Sequence, residues 1–345
     1  MENMDSLKKV CLENNAIGDK GAIALSKALE ENDTLLSLHL ENNNIGRTGA
    51  FALGEMISNK AKLSKLNLNN NPIGDEGFAR VAKGIQEIDT LRIVTLTSIG
   101  LTVDSVPTLA KALKNKRFLT KLALDNNNIG PIGAKQLIDG IKANETITNL
   151  HLANCQLGEL GVIEIASVLA NKKNLLVLDL TNNKCNVEGC LAICKAIQAH
   201  TTIRELFFSH NNIGPDGAKA LANIITKTKY ITELWLNSNG IYPDGAAALG
   251  QALKDKKCLE VLCLKRNDIG LLGCQEIVPA IQNSKTVRVL DLSGNKIGDE
   301  GVTVVVKALG GKEQQNLQAL MMADNAITSK GASLIAKLYS ETGTL

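Results

Sequence analysis

Leucine, isoleucine or valine opens a pattern that recurs along the chain with a period of 28 residues. Each unit reads L-x-x-L-x-L-x-x-N-x-I-G-x-x-G-A and continues into an apolar stretch. The L-x-L step alternates between two faces, which predicts a short strand, whereas the later apolar positions fall three and four apart, which predicts an amphipathic helix. The twelve units begin at residues 7, 35, 63, 91, 119, 147, 175, 203, 231, 259, 287 and 317.

The architecture follows from stacking these units. One unit cannot cover its own apolar face, so stability requires neighbouring units to pack together. Strands lie about 4.8 Å apart in a sheet, and packed helices lie roughly 8–10 Å apart. The sequence therefore predicts an α/β solenoid shaped as a horseshoe, with a parallel β-sheet on the concave side and α-helices on the convex side. No linker interrupts the array, so we predict a single domain over residues 1–345, with a two-residue insertion between Gly310 and Asn316.

Two polar or small positions within the unit have a structural explanation. The ninth position is Asn in ten of the twelve units, with Ile99 and Cys155 as the exceptions. We expect a buried ladder of Asn side chains that satisfies backbone groups where each strand bends away. The fifteenth position is Gly in eleven units, where we expect a side chain to crowd its neighbour at the bend into the helix.

The repeated unit resembles the ribonuclease-inhibitor-like class of leucine-rich repeats over residues 7 to about 338. That class includes cytosolic ribonuclease inhibitor, the sensing region of NLR immune receptors and the GTPase-activating protein for Ran. The resemblance implies the sheet-and-helix arrangement described above and partners bound by concave residues. It is specific for the fold and weak for function, because one fold serves many unrelated functions.

Two regions depart from the pattern. Repeat four has Ile99, Thr102 and Ser105 in place of the Asn and the glycines, and Pro107 at the expected helix start. This is typical of a unit with an altered turn, although a bump shaped for a partner is the alternative. At the beginning of the array, apolar Leu12, Ile17 and Leu25 would lie open unless residues 1–6 or another molecule covers them, or unless the chain is part of a longer protein.

Composition and charge reduce the number of function classes that the chain can belong to. Apolar residues make up 44% and charged residues 21% of the chain, which predicts a folded protein. Thirty-eight basic and 35 acidic residues give a net charge of +3, without the basic stripe of a nucleic-acid-binding protein. We find neither an apolar stretch of membrane-spanning length nor a signal peptide at the start, and expect a cytoplasmic protein with no membrane span. The eight cysteines are accordingly expected to be reduced thiols.

The register of the repeats identifies the residues on the concave face, at the third, fifth and seventh positions. The only Trp, Trp235, and Phe207 occupy the fifth position of neighbouring units. Solvent-facing aromatics surrounded by polar groups are typical of protein-binding hot spots, whereas an aromatic pair that only stiffens the sheet is the alternative. The predicted protein-binding residues are Phe207, Trp235, Glu205, Glu233, Asp179, His151, His210 and Asp291.

The other residue clusters in the sequence predict neither catalysis nor metal binding. His151 and Asp179 are neighbours, but an open sheet offers neither a nucleophile within reach nor a pocket that excludes water. Cys185, Cys190 and Cys194 occupy positions of the unit that are otherwise apolar, so we expect core thiols rather than a zinc site. The run at 114–117 is expected to be a solvated helix end. We predict no catalytic residues, no cofactor and no metal.

The sequence thus favours a non-enzymatic protein-binding scaffold whose partner meets the concave face. Capture of a basic ribonuclease would favour an acidic protein, which this chain is not. One alternative is a regulator resembling the Ran GTPase-activating protein, although that family implies an acidic C-terminal tail and this chain ends in ITSKGASLIAKLYSETGTL. Another alternative is a structural component of a larger assembly, or an effector secreted by an intracellular microbe.

Overall fold

Strands and helices alternate along the chain at the predicted spacing. The computed structural model describes residues 6–114, 116–198, 200–228, 230–254, 258–282, 284–309 and 316–342. The chain divides into two compact units, unit 1 from Met1 to Asp179 and unit 2 from Leu180 to Leu345. Every strand in the described residues covers the third to fifth positions of its repeat, as the pattern predicted. That the repeats form a single domain stays a prediction.

Unit 1 contains a parallel sheet whose strands follow sequence order, with equivalent positions of neighbouring repeats in register. Its elements are β1 (Lys9–Cys11), α1 (Gly18–Ala28), β2 (Ser37–His39), α2 (Arg47–Ser58), β3 (Lys65–Asn67), α3 (Gly74–Glu87), β4 (Ile93–Thr95), a short 3₁₀ helix (Val103–Ser105), α4 (Val106–Leu113), β5 (Lys121–Ala123), α5 (Gly130–Ala143), β6 (Asn149–His151), α6 (Gly158–Leu169) and β7 (Val177–Asp179).

Unit 2 repeats the same arrangement, again with parallel strands in sequence order and in register. Its elements are α7 (Asn186–Ile197), β8 (Glu205–Phe207), α8 (Gly214–Lys227), β9 (Glu233–Trp235), α9 (Tyr242–Leu253), β10 (Val261–Cys263), α10 (Gly270–Ile281), β11 (Val289–Asp291), α11 (Gly298–Leu309), β12 (Ala319–Met321) and α12 (Ser329–Thr342). The predicted α/β leucine-rich-repeat fold class is confirmed.

The hydrophobic core lies between the sheet and the helices. In repeats two to eleven the fourth and sixth positions are buried, as Leu122 and Leu124 show with no solvent exposure. Helix α5 buries Leu137 and Ile141 on its inner face. Because side chains alternate along a strand, the third and fifth positions then lie on the sheet face away from the helices. That face carries the candidate site.

The predicted Asn ladder is confirmed. In unit 2, the Nδ2 of Asn211 donates to the carbonyls of Leu180 at 2.8 Å and Phe208 at 3.0 Å. Its Oδ1 accepts from the amides of Asn183 at 3.0 Å and Cys185 at 3.2 Å. The same Nδ2 also donates to the Ser209 carbonyl at 3.2 Å, so one side chain joins two repeats through five backbone groups. At the exception in repeat six, the thiol of Cys155 donates to the Leu124 carbonyl at 3.2 Å.

The glycine at the fifteenth position also has the predicted role. A Cβ added to Gly49 would lie 2.8 Å from the Cγ2 of Ile45 and 2.8 Å from Oδ1 of Asp19 in the preceding repeat. Both distances are shorter than ordinary van der Waals contact. The helix start can approach its neighbours this closely only without a side chain at that position.

Irregular repeat four has a specific partner in repeat three. Asp75 accepts hydrogen bonds from the amide of Thr102 at 2.9 Å, from the Thr102 hydroxyl at 2.7 Å and from the Ser105 hydroxyl. Thr102 and Ser105 replace the two glycines, and both hydroxyls donate to this one carboxylate. Pro107 lies in the first turn of α4, where proline is tolerated. The altered turn therefore has a hydrogen-bonded structure of its own.

The prediction of a solvated run at 114–117 is wrong for Lys116. The residue is 2% exposed. Its ammonium donates to the carbonyls of Gln86 at 2.9 Å and Ile88 at 2.7 Å, at the end of the preceding helix. Burial lowers the pKa of Lys116 below its usual value, although nearby Asp89 and Glu87 act against this shift. Lys116 thus joins repeats three and four through buried hydrogen bonds.

The apolar positions in the first repeat are open, as predicted. Leu12, Ile17 and Leu25 line a common surface recess, and Leu12 is 36% exposed. Residues 1–6 were one predicted cover for these apolar side chains, and of this segment only residue 6 is described. The predicted insertion between Gly310 and Asn316 also lies outside the described residues, except for Asn316.

The Asn ladder leads to a stability prediction. Asn211→Leu removes the hydrogen bonds to two buried amides, those of Asn183 and Cys185, whereas the carbonyls of Leu180 and Phe208 each keep a second donor from a neighbouring Asn. Each unsatisfied buried group costs about 1–3 kcal/mol. We expect the free energy of unfolding to fall by at least about 2 kcal/mol in denaturant titrations. Asn223→Ala, at an exposed position of α8, is the matched control and should change it by less than about 0.5 kcal/mol. Equal effects of the two substitutions would contradict this role.

The Asp75 contacts lead to a pH prediction. Burial of Asp75 raises its pKa, but hydrogen bonds from Ser105 and Thr102 outweigh burial and leave the pKa below the usual 3.8. A lowered pKa in the folded state stabilises the protein above pH 3.8, and this stabilisation is lost as pH falls through the lowered value. Asp75→Asn should therefore be destabilising near neutral pH, by about 1 kcal/mol, with a difference from wild type that shrinks below pH 3.8.

Thermal unfolding followed across pH tests this expectation. Asp104→Asn, at an exposed position of repeat four, is the control and should leave the pH profile unchanged. A difference between Asp75→Asn and wild type that stays constant in acid would refute the prediction.

Candidate functional site

Two aromatic rings lie side by side on unit 2. Phe207 at the end of β8 and Trp235 at the end of β9 are register partners. Their ring centroids are 5.7 Å apart and their planes are inclined by 26°, a stacked arrangement. Leu206 and Leu234 beside them are fully buried on the opposite face, while both rings are partly exposed. The rings therefore lie on the sheet face away from the helices, where the repeat register placed them.

Carboxylates adjoin the rings. Glu205 and Glu233 are register partners at the third position of the same two strands. The indole Nε1 of Trp235 donates to Oε2 of Glu233 at 3.0 Å, which restrains the rotation of the indole. We call Phe207, Trp235, Glu205 and Glu233 the aromatic–acidic surface. It combines exposed ring area with negative charge.

His210 and Asp291 lie in the same unit but in different surroundings. His210 is exposed in the turn after β8, with a backbone φ of 59°. Asp291 at the end of β11 is 8% exposed, and its carboxylate accepts from the amide of Ser293 at 2.9 Å. Asp291 therefore offers little surface for contact. Between Trp235 and Asp291 in the same row lies Cys263, whose burial, together with Asp291 and Glu233, raises its pKa to about 12.

The remaining predicted residues form a second group, in unit 1. His151 and Asp179 are register partners on β6 and β7, with Nδ1 of His151 at 4.0 Å from Oδ2 of Asp179. Asp125, two residues beyond β5, completes a group whose ligand atoms lie within 4.8 Å of one another. Asp125 was not among the predicted residues. It occupies the seventh position of its repeat, and the register already placed that position on the same face as the third and fifth.

The cysteines behave as predicted for the core. Cys185, Cys190 and Cys194 are buried, and the structure has all eight cysteines as thiols. A hydrogen bond with Cys194, together with burial, raises the pKa of Cys190 well above its usual value. A thiol held protonated in this way is a poor nucleophile and a poor metal ligand.

Comparison with protein families decides the membership of this chain. A leucine-rich repeat family profile matches residues 5–26, 31–54, 59–79, 115–137, 143–166, 199–222, 283–306 and 313–336, more than half of the sequence. The chain belongs to the leucine-rich repeat family. No curated protein matches it significantly. The assignment agrees with the twelve-unit pattern and with the alternation of strands and helices.

Two solved structures share the fold of this leucine-rich-repeat chain. An internalin, InlF, from Listeria monocytogenes strain 4b F2365 has a TM-score of 0.56 and 19% identity, over 98% of this chain and 86% of that chain. The complex of Rad7 and Elc1 in yeast gives a TM-score of 0.61 and 16% identity, over 95% of this chain and 82% of that chain. At these identities the likeness concerns the fold alone.

The helices in the described residues give no membrane-spanning candidate, since each is too short or too polar to cross a bilayer.

The geometry of β9 predicts different effects for neighbouring residues. Trp235→Ala removes a partly exposed ring and a cross-strand pair worth about 0.2–1 kcal/mol. Leu234→Ala opens a cavity in the core, which costs about 2–5 kcal/mol. We expect the free energies of unfolding, measured in denaturant, to differ accordingly. A loss for Trp235→Ala as large as that for Leu234→Ala would show that the indole is part of the core and does not belong to a binding surface.

Proposed function

We propose that this leucine-rich-repeat chain is a non-enzymatic protein-binding scaffold of the ribonuclease-inhibitor-like class, located in the cytoplasm, and that the aromatic–acidic surface is the centre of its binding site. The observation that carries the proposal is the stacked, partly exposed pair of Phe207 and Trp235. In the alternative interpretation, this pair serves only to stiffen the sheet. We keep His151, Asp179, His210 and Asp291 as further predicted protein-binding residues.

Preorganisation supports a binding role. The indole of Trp235 is stacked on one ring and hydrogen-bonded to Glu233 at 3.0 Å, so its orientation is set before a partner arrives. Ordering a side chain on binding costs about 0.5–1.5 kcal/mol. A side chain that is already ordered avoids much of this cost. Trp is also the residue type most enriched among interface hot spots.

The surroundings of the rings indicate the chemistry of the partner. Two carboxylates at the third positions of β8 and β9 lie next to two partly exposed aromatic rings. A guanidinium or ammonium group binds favourably both to carboxylates and to the face of an indole. The proposal therefore includes a partner that presents an Arg or Lys side chain to Trp235.

The class assignment rests on the repeat itself. Each strand is followed by a helix of eight residues or more in the described part of the chain. The Asn ladder and the glycine at the helix start occupy the positions expected for this class. The cytoplasmic location is supported by the eight thiols, most of them buried.

Affinity capture with the full chain as bait, followed by calorimetric titration of the captured protein, tests the proposal. Trp235→Ala should weaken the affinity by about 2 kcal/mol or more, roughly thirtyfold. Phe207→Ala should weaken it less, since the indole and its carboxylate partner remain. Replacing Glu233 by Gln should make the affinity less sensitive to salt.

Tyr242→Ala provides the matched control. Tyr242 is an aromatic of the same unit, 50% exposed at the start of α9, and its loss should leave the affinity unchanged. Equal affinities of wild type and Trp235→Ala, with both proteins folded, would exclude the aromatic–acidic surface as the binding site.

A further inference from the structure

Three potential metal ligands converge on unit 1, whereas the aromatic–acidic surface belongs to unit 2. Asp125 follows β5, while His151 and Asp179 end β6 and β7. His151 and Asp179 are register partners, and Asp125 lies two residues beyond Ala123, the register partner of His151. One ligand atom from each residue lies within 4.8 Å of the other two. Three consecutive strands thus bring one imidazole and two carboxylates to one place.

The imidazole in this group has a buried nitrogen without a hydrogen-bond partner among the described residues. This nitrogen is Nε2 of His151, whose Nδ1 is 4.0 Å from the Asp179 carboxylate, longer than a hydrogen bond. Buried polar atoms in native proteins nearly always have a partner, so an exception of this kind calls for an explanation. A bound cation would occupy a ring nitrogen and hold the imidazole in place.

Asp125 is already oriented by its surroundings. Its Oδ1 accepts from the amide of Ala153 at 2.7 Å, and its Oδ2 accepts from the Thr97 hydroxyl at 3.4 Å. Hydrogen bonds of this kind hold carboxylate ligands in position at metal sites. Asp179 brings a second carboxylate into the same group, with its ligand atom within 4.8 Å of that of Asp125. A cation between the two carboxylates would offset their mutual repulsion.

We propose that Asp125, His151 and Asp179 form a binding site for a divalent transition-metal ion, with zinc as the probe. One imidazole and two carboxylates suit zinc, cobalt or manganese, whereas calcium and magnesium prefer oxygen ligands alone. Zinc holds such ligands at about 2.0–2.2 Å, so neighbouring ligand atoms in a tetrahedral site lie about 3.3–3.6 Å apart. The proposal requires side-chain rotation to bring the three ligand atoms closer than the observed limit of 4.8 Å. This site differs from the expectation of no metal drawn from the sequence, and it is independent of the proposed protein-binding function.

The side chains of His151 and Asp179 are each 20% exposed, so the site opens onto the surface of the sheet. Three protein ligands leave at least one coordination position open. Water or a carboxylate from another molecule can fill it.

Titration of the full chain, freed of metal by chelator, tests the proposal. We expect one equivalent of zinc to bind near neutral pH, with a dissociation constant in the micromolar range or below. Cobalt should give the visible spectrum of nitrogen and oxygen ligands, without the charge-transfer band of a thiolate. His151→Gln, Asp125→Asn and Asp179→Asn should each weaken zinc binding at least about tenfold. In Asp125→Asn the amide oxygen can still accept from Ala153, so the local structure is maintained.

The matched control is the other histidine on a strand of unit 1. His39 is the register partner of Cys11, and its Nδ1 lies 3.5 Å from Glu13. The double variant Cys11→Ser/His39→Ala should bind zinc as the wild type does. Unfolding midpoints measured in chelator identify any variant that is not folded at the titration temperature. If a variant is not folded, the cobalt spectrum of the wild type tests the ligand set in its place.

Zinc binding that survives all three substitutions, a thiolate band in the cobalt spectrum, or binding lost only in the Cys11 and His39 variant would overturn the proposal. Failure of the wild type to bind zinc or cobalt would also overturn it, and would leave His151 and Asp179 as an ordinary ion pair. None of these results bears on Trp235, so the protein-binding proposal can fail or succeed separately.

Discussion

The structure depends on the side-chain amide of the Asn at the ninth position, which recurs in ten of the twelve repeats. At the end of each short strand the chain turns away from the sheet, and the carbonyls and amides of that turn are buried without strand partners. An Asn such as Asn211 satisfies them with both ends of its amide, since it donates to three carbonyls and accepts from two amides of its own and the preceding repeat. Three-residue strands can therefore form a stable sheet, because the ladder extends their hydrogen bonding into the turns.

Polar contacts on the helix side have a longer period than the apolar pattern. Lys60, Lys116 and Lys172, each 56 residues after the last, donate to carbonyls at the end of the preceding helix. Asp19 and Asp75 are also 56 residues apart, and each accepts hydrogen bonds from the start of the next helix. Within repeats one to six, these contacts therefore join every second pair of neighbouring repeats. A buried ammonium or carboxylate stabilises only where it meets several partners, and here each has at least two.

The two candidate sites follow from the same property of the repeat. Equivalent positions of neighbouring strands are in register, so residues 28 apart become neighbours on the outer face of the sheet. Phe207 beside Trp235 and His151 beside Asp179 are both products of this register. Because the leucines beneath are fully buried, the outer positions can vary without loss of the core. A leucine-rich repeat can thus acquire a binding surface in one place and a ligand cluster in another on one framework.

Local periodicity was sufficient to assign the strands, the helices, the Asn ladder and the face on which Trp235 lies, because each depends on contacts between residues at a fixed separation. It was not sufficient for Lys116, which looked like part of a charged surface run and is buried against carbonyls of the preceding repeat. Nor did it reveal Asp125 beside His151, since that contact joins the seventh position of one repeat to the fifth of the next. Such contacts depend on how far a long side chain reaches and on the angle between adjacent strands. Neither can be known from the repeat alone, because both depend on how the repeats stack.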